Sequence, residues 1–200
     1  TRYVLVIAIM GMVALVTRAP WPSSPRQWLH IGITGVLVHA VYLGGVFTAI
    51  RHGLPAGITA LVVGLQPLLT ALGAGAILGE RVLPRQWVGL VLGFGGVGLV
   101  VAHKVAAAAS TPELTAMLTP AVLALLGITA GTLYQKRFCP AFDLRTGSVI
   151  QFLPTLALSA LVASQTESMA IEWSGQFVFA LLWLVLVLSV GAVSLLNLLI

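Results

Sequence analysis

The chain has 200 residues, of which 59% are hydrophobic and 8% charged, with a mean hydropathy of +1.08 and a formal net charge of +5. An average soluble domain carries roughly 25% charged residues, so soluble enzymes, nucleic-acid-binding domains and secreted disulfide scaffolds are excluded in favour of an integral membrane protein. The basic excess then bears on orientation in a bilayer and not on nucleic acid, and the single cysteine, Cys139, allows no internal disulfide.

A spanning helix takes about 20 mostly apolar residues, and the charges cut the sequence into such lengths. Span A covers 3–17, B 27–50, C 54–79, D 86–102, E 114–135, F 146–166 and G 175–200. His30 and His39 are the only ionisable interruptions of B, and C and D carry no charge. Alternating ten-residue strands are absent, which rules out a transmembrane barrel. The connections are short, polar and rich in Pro and Gly, which stop helices. The stretch 103–113, with Ala106 to Ala109 and Pro112, divides a first part, 1–105, from a second, 114–200. Span A is short and G ends inside an apolar run, so the chain reads as an internal piece of a longer protein.

Loop charges set the orientation. The A–B, C–D and E–F connections hold Arg18, Arg26, Arg81, Arg85, Lys136, Arg137 and Arg145, while the opposite side holds Arg2, Arg51 and Lys104. Seven positives against three places the first set in the cytoplasm. The membrane expected is the plasma (cytoplasmic) membrane, crossed several times.

An internal repeat is also visible. Residues 2–11 lie over 151–160 at an offset of 149, and Ile50 lies over Ile200 at an offset of 150. The offset carries A onto F and B onto G. Five spans separate the copies, and five is odd, so the second copy is inverted. Inverted repeats characterise secondary transporters, with the solute site near the midplane. B, C and D then close one repeat and E, F and G open the next, giving seven of about ten spans.

Several spans carry polar faces. In C, Thr59, Gln66, Thr70 and Gly73 recur at helical spacing beside Pro67, whose missing amide predicts a bend or open turn facing the bundle interior. In B, Gly32, Gly35, His39 and Tyr42 share one face, and His39 is the only ionisable side chain deep in a span. Span F aligns Ser148, Gln151, Thr155 and Ser159 beside Pro154, and G aligns Ser194 with Asn197. Such residues either tie helices together or line a solute path. Four polar central faces together favour an aqueous cavity. The candidate pathway residues are therefore His39, Tyr42, Gln66, Thr70, Gln151 and Asn197, with Pro67 as a helix hinge. Gly89, Gly93 and Gly96 form a small-residue ridge on D, expected to pack against another helix.

Two stretches carry a family resemblance. One runs from Gly53 through Gln66-Pro67 to the Leu78-Gly-Glu-Arg81 turn. The other is Gln86-Trp-Val-Gly89, entering a glycine-rich helix. Together they resemble the end of an EamA-type repeat of the drug/metabolite transporter superfamily, strongly over 53–101. The resemblance implies ten helices in two inverted five-helix repeats, both termini in the cytoplasm, and export or exchange of a small metabolite. The reading adopted is a transporter working by alternating access, with no cofactor and no catalytic or metal site. The partners expected are a small-molecule solute and the lipid bilayer, with no nucleic acid. An intramembrane enzyme is the alternative, but all five acids lie in loops or at span ends, with no His- or Cys-rich cluster. A seven-helix receptor-like protein is another, and span G lacks the lysine that a retinal Schiff base needs.

Overall fold

The computed structural model describes residues 2–79, 83–106, 111–139, 142–166 and 173–191. Within them, every regular element is helical. Span A is α1 (Arg2–Val16). Span B is one continuous rod made of α2 (Pro25–Gly35), a π-helical segment (Val36–Val41) and α3 (Tyr42–Arg51). Span C is two pieces, α4 (Ala56–Val63) and α5 (Gln66–Leu78). Spans D, E and F are α6 (Pro84–Ala106), α7 (Thr111–Phe138) and α8 (Leu144–Thr166). Span G is α9 (Gly175–Leu182), running into a second π segment (Trp183–Gly191).

Local chemistry sets these limits. Pro25 occupies the first turn of α2, where its fixed φ suits a helix start. Ser174 caps α9, its Oγ accepting from the Phe177 N–H at 3.1 Å. Gly79 ends α5 with φ +70°, a left-handed conformation that glycine adopts without Cβ strain. Pro120 and Pro154 sit inside α7 and α8, and both helices continue through them.

Among the described residues, four helices are long and apolar enough to cross a bilayer: Pro25–Arg51, Ala56–Gly75, Thr115–Phe138 and Leu144–Thr166. The outward faces are apolar too, with Leu15, Leu92 and Leu99 at 70%, 70% and 76% exposure, as lipid contact requires. The interior holds threonines instead. Thr34, Thr59, Thr129 and Thr155 are buried, and each hydroxyl donates to the carbonyl four residues earlier. A buried hydroxyl without a partner is costly, and this back-bonding removes the cost inside one helix. The protein is an all-α, polytopic membrane protein.

The chain forms two compact units, 1–36 with 139–200, and 37–138. In the first, α1 packs on α8, α2 packs on α8, and the second π segment packs on α1. Its core joins Val6 and Met10 of α1, Val149 and Phe152 of α8, and Leu181 and Val185 of span G. Gly35 lies so close to the Gln151 backbone that no side chain fits between them. In the second unit, α7 is the central element, and α3, α4 and α5 all pack on it. Ala49, Leu54, Ile58, Val62, Leu65, Ala121 and Leu125 form its core.

Candidate functional site

The polar region of the second unit is built around the break in span C. Gly64 and Leu65 leave the α4 helix in a tight turn, with Gly64 N–H donating to Ala60 O at 2.8 Å and Leu65 N–H to Val62 O at 3.2 Å. Pro67 follows in the first turn of α5. It has no N–H to return to Val63, so an uninterrupted α-helix through this point would lack a rung. The open turn expected at Pro67 is thus present, displaced two residues toward the N-terminus. The turn is closed by its own backbone, with Leu68 N–H and Leu69 N–H both donating to Leu65 O at 3.0 and 3.1 Å.

Two cavities flank the break. One, of about 510 Å³, is lined by Tyr42 and Val46 of α3, Thr59 and Val63 of α4, and Gln66 and Pro67. The other, of about 370 Å³, is lined by Gln66, Pro67 and Thr70 of α5 with Thr132, Leu133 and Lys136 of α7. Gln66 and Pro67 are the residues common to both. Gln66 Nε2 donates to Thr132 Oγ1 at 3.1 Å, and Thr132 Oγ1 donates in turn to Ile128 O at 2.7 Å. At the far end of α5, Arg137 Nη1 donates to Ile77 O at 2.6 Å. The half-helix α5 is therefore pinned to α7 near both ends, whereas α4 meets α7 through apolar side chains.

The structure divides the expected pathway residues. Tyr42 and Gln66 share the larger cavity, and Gln66 and Thr70 share the smaller. His39 is half-buried in the π segment and is not among the side chains lining either cavity. Gln151 belongs to the other unit, where its carbonyl accepts from Thr155 Oγ1 at 2.8 Å. Asn197 and Ser194 lie outside the described residues, as do Glu80 and Arg81. Gly32 and Gly35 belong to the first unit and His39 and Tyr42 to the second, with the π segment between Gly35 and Tyr42. A π segment closes i→i+5 bonds and adds a residue to its turn, so the α-helical spacing is lost between Gly35 and Tyr42.

Sequence reasoning missed Thr132, the partner of Gln66, and the seam on which the π segment rests. A Cβ on Gly127 would lie 2.7 Å from Val41 Cγ1, and one on Gly131 would lie 2.6 Å from Val38 Cγ2. Gly127-Ile-Thr-Ala-Gly131 has the small-xxx-small spacing that marks close helix contact, so the signal was present. The ridge expected on span D is a packing surface only at Gly93, which meets Leu68 of α5. Gly89 and Gly96 have nothing within 4 Å.

At the start of α8, Asp143 Oδ1 and Oδ2 accept from Arg145 Nε and Nη2 at 3.0 and 2.7 Å. The Arg145 hydrogen bond is the main reason the Asp143 carboxyl is held below its ordinary value. Cys139 is buried beside Ile31 and Ile150, and burial pushes its thiol up. These groups fix a loop in the first unit. The side-chain polar groups around span C are an amide, hydroxyls and one ammonium.

Long apolar helices, with one span broken at mid-length between two cavities whose walls are mostly apolar, make this a polytopic membrane protein. The chain belongs to the EamA-like transporter family, whose pattern matches residues 1–102. It is 27% identical over 197 residues to the "Uncharacterized transporter YvbV" of Bacillus subtilis (strain 168), covering 94% of this chain and 58% of that protein. It is 32% identical over 115 residues to "Protein PecM" of Dickeya dadantii (strain 3937), covering 57% of this chain and 37% of that protein. The chain thus spans little more than half the length of these relatives at most. No solved structure matches it.

Proposed function

We propose that the protein carries a small organic metabolite across the plasma membrane by alternating access, as an exporter or exchanger. The observation that carries this reading is the broken span C. Irregular backbone at membrane depth is tolerated only where protein buries it or it lines a water-filled cavity, and discontinuous helices are where transporters build midplane sites. Here the break has a cavity on each side, and Gln66 and Pro67 line both. Pro67 then acts as the hinge between α4 and α5.

The two inverted five-helix repeats belong to the same proposal, with 1–105 ending the first and 114–200 opening the second. The contacts of the first unit support it. Exchanging A with F and B with G turns the α2–α8 contact into the contact between span G and α1, and leaves the α1–α8 contact unchanged. The observed set maps onto itself. Spans B and G also start 150 residues apart, at Pro25 and Gly175, and both pass from α- into π-helix.

The test is transport of candidate metabolites into and out of vesicles carrying the wild type, His39→Ala or Gln66→Ala. Gln66→Ala should lower the flux of the true solute at least tenfold with normal membrane insertion. His39→Ala tests whether the π segment belongs to the path. Normal transport by Gln66→Ala would remove the broken span from the mechanism.

A further inference from the structure

The smaller cavity has a one-sided hydrogen-bonding character. Two pairs of polar side chains face each other across it: Gln66 and Thr70, one turn apart on α5, and Thr132 and Lys136, one turn apart on α7. Thr132 spends its only proton on Ile128 O, so toward Gln66 it can only accept. That fixes the orientation of the Gln66 carboxamide, with one N–H bonded to Thr132 and one N–H left over. Thr70 Oγ1 is buried with no hydrogen-bond partner and is shielded from the cavity.

The electrostatics have the same sign. Lys136 places a positive charge at this wall. Among the described residues, no Asp or Glu lines either cavity. Pro67, Ala71, Ala74 and Leu133 supply apolar walls. A volume of about 370 Å³ lies at the small end of ligand pockets, which run from about 300 to 1,000 Å³.

We propose that this cavity is a carboxylate subsite for a small organic acid. Its carboxylate oxygens accept from Gln66 Nε2 and Lys136 Nζ, and its apolar body lies against Pro67, Ala71 and Leu133. The assignment deepens the transporter reading and rests on it for its physiological meaning, but it is tested by binding alone.

The probes are acetate, butyrate, hexanoate and benzoate, each paired with its neutral amide. The protein is held in lipid nanodiscs, and affinity is read from the ligand-dependent rise in unfolding temperature. At least one acid should bind tenfold or more tightly than its amide. Gln66→Leu and Lys136→Gln should each weaken that acid about tenfold, Lys136→Arg should retain it, and Arg85→Gln, a charge outside the cavity, should leave it unchanged. If Lys136→Gln does not fold, Gln66→Leu decides. Equal binding of acids and amides, no binding of any acid, or equal losses in Arg85→Gln and Lys136→Gln would each overturn the subsite. Counterflow of the bound acid in proteoliposomes separates the two readings. Binding without counterflow leaves the subsite standing and counts against the carrier, while transport of another solute without acid binding does the reverse.

Discussion

Gly44 and Gly45 are neighbours on α3 that differ in what surrounds them. A Cβ on Gly45 would lie 2.6 Å from the Pro120 carbonyl oxygen and 2.9 Å from Ala124 Cβ, whereas one on Gly44 meets nothing within 4 Å. Substituting Ala at either position gains the same helix propensity, about 1 kcal/mol, so that gain cancels in the difference between the two variants. What remains is overpacking, typically about 1–3 kcal/mol. The Pro120 oxygen belongs to the backbone of α7 and cannot swing away as a side chain can. Relief requires α3 and α7 to part, and that opens the adjoining contacts of Val41 with Gly127 and Val38 with Gly131. The difference should therefore fall in the upper part of the range, about 2–3 kcal/mol. Unfolding of both variants in mixed micelles, followed by circular dichroism against SDS mole fraction, measures it. Gly44→Ala should match or exceed the wild type, and Gly45→Ala should fall below Gly44→Ala by the stated amount. Equal stability of the two variants would refute the α3–α7 seam described above.

Two further outcomes are expected. Because Arg145 holds the Asp143 pKa below the unfolded value of roughly 3.9, the pair stabilises the fold above that pH, and the contribution fades as pH falls through the folded pKa. Between about pH 5 and pH 3 the unfolding midpoint should therefore drop more steeply for wild type than for Asp143→Asn; parallel curves would show that the pair contributes nothing. In a Cys139→Ser background, a cysteine placed at Ser110 should react with an impermeant reagent added to intact cells, and one at Val82 should not. The opposite pattern would reverse the topology argued from the loop charges.

Span positions were legible because bilayer thickness and charge spacing leave little freedom. Charge spacing places span B at 27–50, where the structure has a rod over 25–51, and F at 146–166, where it has a helix over 144–166. The chemistry of span C was legible for a related reason, since a proline in an apolar helix must leave its mark within a turn. Contacts between spans were not legible, because they depend on rotation about each helix axis, and in lipid the hydrophobic pattern that normally reports rotation is absent. Thr132 and Gln66 are 66 residues apart, and nothing in either local sequence pairs them. The π segments were hidden for a further reason: no residue type demands them. In span B the segment lies on Gly127 and Gly131, where the missing side chains leave room for Val38 and Val41. Small residues on α7 thus accommodate an irregular turn on its neighbour. The side chains at the broken span are placed by a partner helix whose glycines, read alone, look like composition.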